Sequence, residues 1–359
     1  MSLFGDCYSG RRALITGHTG FKGSWLALWL QQLGAEVVGI ALPPEGEPNH
    51  WKLLNLNIEE YQHDIRDAQG LVALIRQVQP YIVFHLAAQS LVRRSYREPL
   101  QTWSTNVLGT VAVLDACRDV NSLKAVVIVT TDKCYENLEQ IHSYTEEDRL
   151  GGHDPYSASK AGAELVVASY RLSFFDKATS PLIATARAGN VIGGGDWSED
   201  RLIPDLARAQ AGNSTLEVRS PLSTRPWQHV LEPLSGYLLL GQKLLQGHRG
   251  FARPWNFGPD AEGNRSVAEL LDLMRPVWPT LAWRRADRPQ PHETALLQLD
   301  STRARRDLSW RPVWTLSEGA RATARWYDRF LNSGEVITCD QLERYLANAR
   351  TEKLEWAIS

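Results

Sequence analysis

The sequence predicts an α/β fold: a doubly wound parallel sheet followed by a smaller C-terminal α/β lobe. Two patterns carry the prediction. In the first half, short apolar runs alternate with stretches of helical periodicity. Those runs are apolar throughout rather than at every second residue, as strands covered on both faces require. After about Gly189 the alternation breaks, and Gly, Pro, Trp and Arg become frequent, as in GGGDW (193–197) and RPWQH (225–229).

The elements follow in order. Arg11 to Thr16 reads as a strand. Phe21 to Leu33 reads as a helix with Trp25, Leu26, Trp29, Leu30 and Leu33 on one face, stopped at Gly34. Glu36 to Ala41 is the next strand. Asp67 is placed to cap a helix carrying Leu71, Leu74, Ile75 and Val78. Tyr81 to Ala88 reads as a strand, Asn106 to Cys117 as a helix, and Ala125 to Thr131 as a further strand. Short helices are expected over Val267 to Leu273 and Ser317 to Phe330. Residues after about Asn332 are polar and of uncertain order. The expected division is 1–188 for the first domain, 189–335 for a lobe whose segments cross back, and 336–359 for a tail.

Composition excludes several classes. A chain of 359 residues with net charge −2 carries no basic run of the kind that binds nucleic acid. No stretch has the apolar length of a membrane helix, and the first residues lack a signal-peptide core. Cys7, Cys117, Cys134 and Cys339 are scattered, with neither metal-ligand nor disulfide spacing. The expectation is a cytoplasmic protein with reduced thiols, no metal, no nucleic-acid partner and no membrane partner. Thirteen Trp residues is a high count, and Trp25 and Trp29 fall where core packing is expected.

Three motifs carry chemistry. Gly17, Gly20 and Gly23 follow the first strand and open the first helix. That placement suits a dinucleotide: a tight turn, backbone approach to a pyrophosphate, and close packing of helix on strand. His18 within it reads as a turn residue. Tyr156 and Lys160 stand four apart and so share a helix face. A free phenol titrates at about 10, too high for a base at neutral pH, and an adjacent ammonium favours the phenolate. The pair suits oxidation of an alcohol by a nicotinamide. Finally, Thr131, Asp132 and Lys133 end a buried strand, where ligands of such sheets bind. An acid and a potential base there suggest elimination of water after oxidation.

With His85-Leu86-Ala87-Ala88 and Asn106, these motifs resemble the extended short-chain dehydrogenase/reductase family of nucleotide-sugar enzymes, whose fold is Rossmann-type. The segments TGHTGFKGSW, AGNVIGGGDW, RLIPD, RPWQHVLEPLSGY and WNFGP resemble its CDP-glucose 4,6-dehydratase branch. The resemblance spans nearly the whole chain. It implies a tightly held NAD, CDP-glucose as substrate, and a product, CDP-4-dehydro-6-deoxyglucose, destined for surface deoxysugars. It also implies a homo-oligomer, a dimer or tetramer, with first-lobe helices at the interface. By the same resemblance, Gly17, Thr19, Gly20, Phe21, Gly23, Asp64, Ile65, Leu86, Ala87, Ala88, Asn106, Tyr156 and Lys160 hold the cofactor. Gln89, Arg187, Asn190, Arg201, Arg225, Arg288 and His292 fall at or near substrate-binding positions. Tyr156 takes the C4 hydroxyl proton while Thr131 bonds the C4 oxygen. Lys133 then removes the C5 hydrogen, and Asp132 protonates the departing C6 hydroxyl.

One departure stands out. The second strand ends Ile40-Ala41-Leu42-Pro43-Pro44, with neither the acid that binds a free ribose nor a basic pair for a 2′-phosphate. The residues themselves leave NAD and NADP open. A dehydratase for another nucleotide sugar and a UDP-sugar 4-epimerase are the nearest alternatives. An epimerase has no need of Asp132-Lys133, and Lys133, where dTDP-sugar relatives carry Glu, points to the CDP-sugar branch.

Overall fold

A computed structural model describes residues 3–138, 142–286 and 297–358. Among them, seven strands form one parallel sheet: β1 (Arg12–Thr16), β2 (Glu36–Ala41), β3 (Glu59–Gln62), β4 (Ile82–His85), β5 (Ala125–Val129), β6 (Leu182–Arg187) and β7 (Pro254–Asn256). Their order is β7-β6-β5-β4-β1-β2-β3. The order reverses at β1, where Thr16 lies opposite both Ile40 of β2 and His85 of β4. That reversal opens a crevice at the carboxyl ends, the site where sheets of this type take ligands.

The flanking helices are α1 (Phe21–Gln32), α2 (Ala68–Val78), α3 (Gly109–Cys117) and α4 (Pro155–Ser173). Asp67 caps α2 as expected, accepting from the Gly70 amide. The helix expected from Asn106 begins as a π-helical stretch, Ser104–Leu108, before α3. The strands β4 and β5 stop short of the expected Ala88 and Thr131. Leu86 and Thr130 still donate their amides to Thr16 and Ala186 of the neighbouring strands, and beyond them residues 87–88 and 131 line the crevice.

Further helices are α5 (Leu202–Ala211), α6 (Leu231–Leu245), α7 (Val267–Met274) and α8 (Leu316–Ser333). Leu206, Leu270, Trp278, Trp326 and Tyr327 pack the second lobe's own core. Three observations differ from the sequence reading. First, α1 is buried on all sides from Gly23 to Leu30 rather than along one face. It is covered twice: Trp29, on the expected face, lies edge-on to Tyr345 and Trp356, and on the opposite side Ser24 Oγ bonds His50 Nδ1 at 2.7 Å beside buried Ala27 and Leu28. Second, the polar C-terminal residues are ordered as α9 (Thr338–Thr351) and α10 (Glu355–Ile358). Third, these helices complete the core: Leu342, Tyr345, Leu346 and Trp356 are buried, and Phe4 stacks on Trp356.

Candidate active site

The crevice is a cleft of about 860 Å³. Its floor at β1 is the glycine turn. Gly17 has φ +79°, and a Cβ there would come within 2.7 Å of the Ala87 amide nitrogen. A Cβ on Gly23 would strike the Gly17 carbonyl at 2.1 Å. Gly23 thus lets α1 close on its own loop, rather than on the strand. Gly17, Thr19, Gly20, Phe21 and Gly23 all line the cleft, and Thr19 Oγ1 ties the turn to the end of β2 by donating to the Leu42 carbonyl. The first amides of the twelve-residue α1 have no partners within the helix, as a pyrophosphate requires. Leu86, Ala87, Ala88, Asp64 and Ile65 line the same cleft. The site therefore fits a dinucleotide. Asp64 also holds Arg66, accepting from Nε and Nη2.

Across the cleft stand the acid–base residues. Asp154 caps α4, accepting from the Ser157 amide and hydroxyl, and Pro155 opens the helix. This sets Tyr156 at the mouth of α4, facing the end of β5. After β5 the chain makes a 3₁₀ turn, Asp132–Cys134, capped by Thr131, whose Oγ1 accepts from the Lys133 amide. Thr131 Oγ1 donates to Asp132 Oδ1 at 2.9 Å. Lys133 Nζ reaches Asp132 Oδ1 and Asn190 Oδ1, each at 3.4 Å. Asp132 is fully buried. Its other oxygen has no hydrogen-bond partner and lies against Gly189, where a Cβ would come within 1.9 Å. All five expected catalytic residues line one cleft.

Burial sets the electrostatics. It pushes the Tyr156 phenol up to about 12. The Thr131 hydroxyl, acting as a hydrogen-bond partner, and the Arg201 charge oppose this, while Asp132 adds to it. Burial lowers the Lys160 ammonium to about 8, against the pull of Glu164, and Lys160 Nζ donates to the Val129 carbonyl at 3.2 Å. Lys22, absent from the sequence reading, lines the cleft beside these groups. Burial takes it down to about 7, with Arg201, Lys160 and Lys133 repelling it and Asp132 attracting it. Its ammonium donates to the Tyr237 hydroxyl at 3.3 Å. The available signal was a lysine within an otherwise apolar helix start.

Of the expected substrate residues, Gln89, Asn190, Arg201 and Arg225 line the cleft. Arg201 pairs with Asp196 at 3.0 Å and donates to Ser90. Two expectations are corrected. Arg187 is buried below the cleft and bound to Glu164 and Tyr135, so its charge is spent inside the scaffold. Asn106 is buried behind the wall: its amide bonds the Gln89 backbone twice and the Ser159 hydroxyl, tying the cleft loop to α4. Arg288 and His292 lie outside the described residues. Sequence reading also passed over Arg94, which crosses the cleft mouth from Glu45, after β2, to Glu199 of the second lobe.

A parallel sheet with a glycine turn at its reversal and a Tyr/Lys pair over β5 defines an extended short-chain dehydrogenase/reductase. The sequence profile of the GDP-mannose 4,6-dehydratase family matches residues 14–247, and the chain belongs to that family. A CDP-glucose 4,6-dehydratase of Salmonella typhimurium is 44% identical over 343 residues, covering 94% of this chain and 96% of the relative. A dTDP-glucose 4,6-dehydratase of Streptomyces venezuelae, solved with NAD and TYD bound, is 27% identical with TM-score 0.75, covering 90% of this chain and 98% of that one. An epimerase from Methanothermobacter thermautotrophicus has TM-score 0.80 at 24% identity, covering 91% and 95%, a likeness of fold.

Proposed function

We propose that the protein is a CDP-glucose 4,6-dehydratase that uses NAD. The observation that carries this is Asp132 and Lys133 held together at the end of β5, in the same cleft as Tyr156 and Lys160. The similarity to the Salmonella enzyme supports CDP-glucose as the substrate, and the likeness to the Streptomyces venezuelae dehydratase solved with NAD supports NAD as the cofactor. An epimerase needs only the Tyr/Lys pair, so Asp132 and Lys133 favour dehydration.

A bound nicotinamide would supply reversible hydride acceptance, holding the hydride lost from C4 until it is returned at C6. The chain's residues manage the protons. Tyr156, helped by Lys160, takes the C4 hydroxyl proton, and Thr131 bonds the C4 oxygen. The ketone so formed acidifies the C5 hydrogen, which Lys133 removes as Asp132 protonates the C6 hydroxyl and water leaves. Lys133 returns its proton to C5. Over one cycle Tyr156 gains a proton and Asp132 loses one, and Thr131, in contact with both, lies between them. Arginine forks at Arg201 and Arg225 suit the diphosphate.

The same reading assigns the protein to the cytoplasm, consistent with four free cysteines, and to deoxysugar supply for surface polysaccharide such as O-antigen. It also assigns a homo-oligomer. Leu100, Trp103, Leu108, Leu165 and Leu172 are exposed on neighbouring helical segments, an apolar surface of the kind interfaces cover. Among the described residues no helix is long and apolar enough to cross a membrane.

The test is Lys133→Ala mixed with CDP-glucose. Tyr156 and Lys160 remain, so reduced-nicotinamide absorbance should build up while dehydrated product, read by mass, falls by about 10²–10⁴-fold. Release of water at the normal rate would show that another group is the C5 base. Absence of cofactor reduction despite substrate binding would place Lys133 in the oxidation step instead.

A further inference from the structure

Arg187 was expected at the substrate, and its actual position raises a question about Lys160. Tyr156, Lys160 and Glu164 follow at four-residue intervals on α4 and share a face, where a Lys and a Glu can pair. Lys160 nevertheless directs its ammonium to the Val129 carbonyl. Glu164 explains this. Its Oε1 accepts from Thr130 Oγ1 at 2.5 Å and Arg187 Nε at 2.9 Å. Its Oε2 accepts from Thr185 Oγ1 and Arg187 Nη2, both at 2.8 Å. An ionised carboxylate offers about four lone-pair sites, and four donors fill them. Arg187 cannot drift from this grip, because Nη1 donates to the Tyr135 hydroxyl, which donates to Asn256. Both charged side chains are 2% exposed.

We propose that Arg187, with the Thr130 and Thr185 hydroxyls, is a positioning residue for Lys160: it saturates Glu164, so the lysine stays directed at the end of β5. Glu164 still acts on Lys160 at a distance, favouring its charged form. The other titratable groups facing Lys160 are Cys134 after β5, His85 on β4 and Lys22 on α1. Burial keeps the Cys134 thiol protonated and takes His85 down to about 3, so both are neutral near pH 7. Glu164 is therefore the negative charge that acts on the lysine, and Arg171 also faces it.

The proposal rests on the Tyr156/Lys160 reading of the reaction, so Lys160 is followed both without and with turnover. The holoenzyme is labelled with acetic anhydride at a series of pH values, and acetylation of the Lys160 peptide is read by mass. The alkaline limb of kcat/KM for CDP-glucose is measured in parallel. In wild type Lys160 should titrate near 8. In Arg187→Met the freed carboxylate captures Lys160, and the titration and the limb should both move up by about one to three pH units. Thr185→Val frees one acceptor site while keeping the Arg187 pair, so it should fold and move both in the same direction by less. Glu164→Gln removes the attracting charge and should move both down. Removing one partner of a buried pair can unfold a chain. If Arg187→Met or Glu164→Gln does not fold, the upward shift in Thr185→Val, which keeps the pair, decides the matter alone, and where Glu164→Gln folds it should shift the opposite way. Unmoved titrations, or shifts of the same sign in those two variants, overturn the proposal. A chain that shows the labelling shifts but does not dehydrate CDP-glucose refutes the assigned reaction and leaves the positioning role standing.

Discussion

Glu232 offers a test of how burial competes with hydrogen bonding in this core. It lies at the start of α6, fully enclosed. Its Oε1 accepts from the Trp314 amide, and its Oε2 accepts from the Val313 amide and the Tyr345 hydroxyl. One carboxyl thus joins α6 to the segment before α8 and to α9. Burial raises its titration from the ordinary 4.5 to about 7, against the three donors, which lower it. Within that window the folded chain holds a proton that the unfolded chain has released. Stability conferred by this group is therefore complete below the unfolded value and lost as pH rises through the folded one. The swing is roughly 3 kcal/mol at about 1.4 kcal/mol per pH unit. Glu232→Gln removes the titration. Its amide keeps one acceptor oxygen for three donors, so it starts from a lower stability, but its offset is independent of pH. Urea unfolding of both proteins between pH 4.5 and 8 at fixed salt should show wild type losing roughly 3 kcal/mol relative to Glu232→Gln, mostly between 4.5 and 7. A flat difference would mean that the three donors fully offset burial, and a wild type that gains stability relative to Glu232→Gln as pH rises would mean that they outweigh it.

Three further outcomes are expected. Tyr156→Phe should lower dehydration by about 10²–10⁴-fold while CDP-glucose affinity, measured by calorimetry, is largely kept, because the phenol acts on a proton and not on the diphosphate. Nucleotide extracted from the purified protein should be NAD, from the cleft that Gly17, Gly20 and Gly23 shape; recovery of NADP alone would contradict the assignment. Gly194→Ala would set a Cβ within 2.0 Å of the Trp326 ring, beside the carbonyl that holds the Trp25 indole. Overpacking of that kind costs about 1–3 kcal/mol, so thermal unfolding should fall by several degrees, and an unchanged midpoint would mean that the lobe contact yields freely.

Local patterns were legible where one physical requirement governed a run of residues. β2 spans Glu36–Ala41 as read, because the run is short, follows Gly34, is rich in β-branched residues and is buried at five consecutive positions. The ends of β4 and β5 were overread for a related reason. Residues 87–88 and 131 are small or uncharged and line the cleft, and composition does not separate a cleft wall from a ladder. Helix α1 misled in the opposite direction. A 3.6-residue pattern marks a face only when the other side meets water, and here the other side is buried too, with Ser24 bonded to His50. Leu342, Tyr345, Leu346 and Ala349 do stand at helical spacing, yet their burial depends on a surface built some three hundred residues earlier.

The proposed acid–base groups were legible for a different reason from the groups that hold them. Tyr156 stands four residues from Lys160, and Thr131 to Lys133 are consecutive, so spacing gathers each group, and the family resemblance joins the two. The partners of Arg187 and Asn106 lie on other elements, and an arginine aimed at a diphosphate looks the same in sequence as one aimed at a buried glutamate. Adjacent threonines make the limit concrete. Thr130 donates to Glu164 and Thr131 donates to Asp132. Successive side chains leaving a strand point to opposite sides, so one hydroxyl belongs to the scaffold and the next to the chemistry. Residue type is identical at the two positions, and the distinction rests on which way β5 faces when it meets α4.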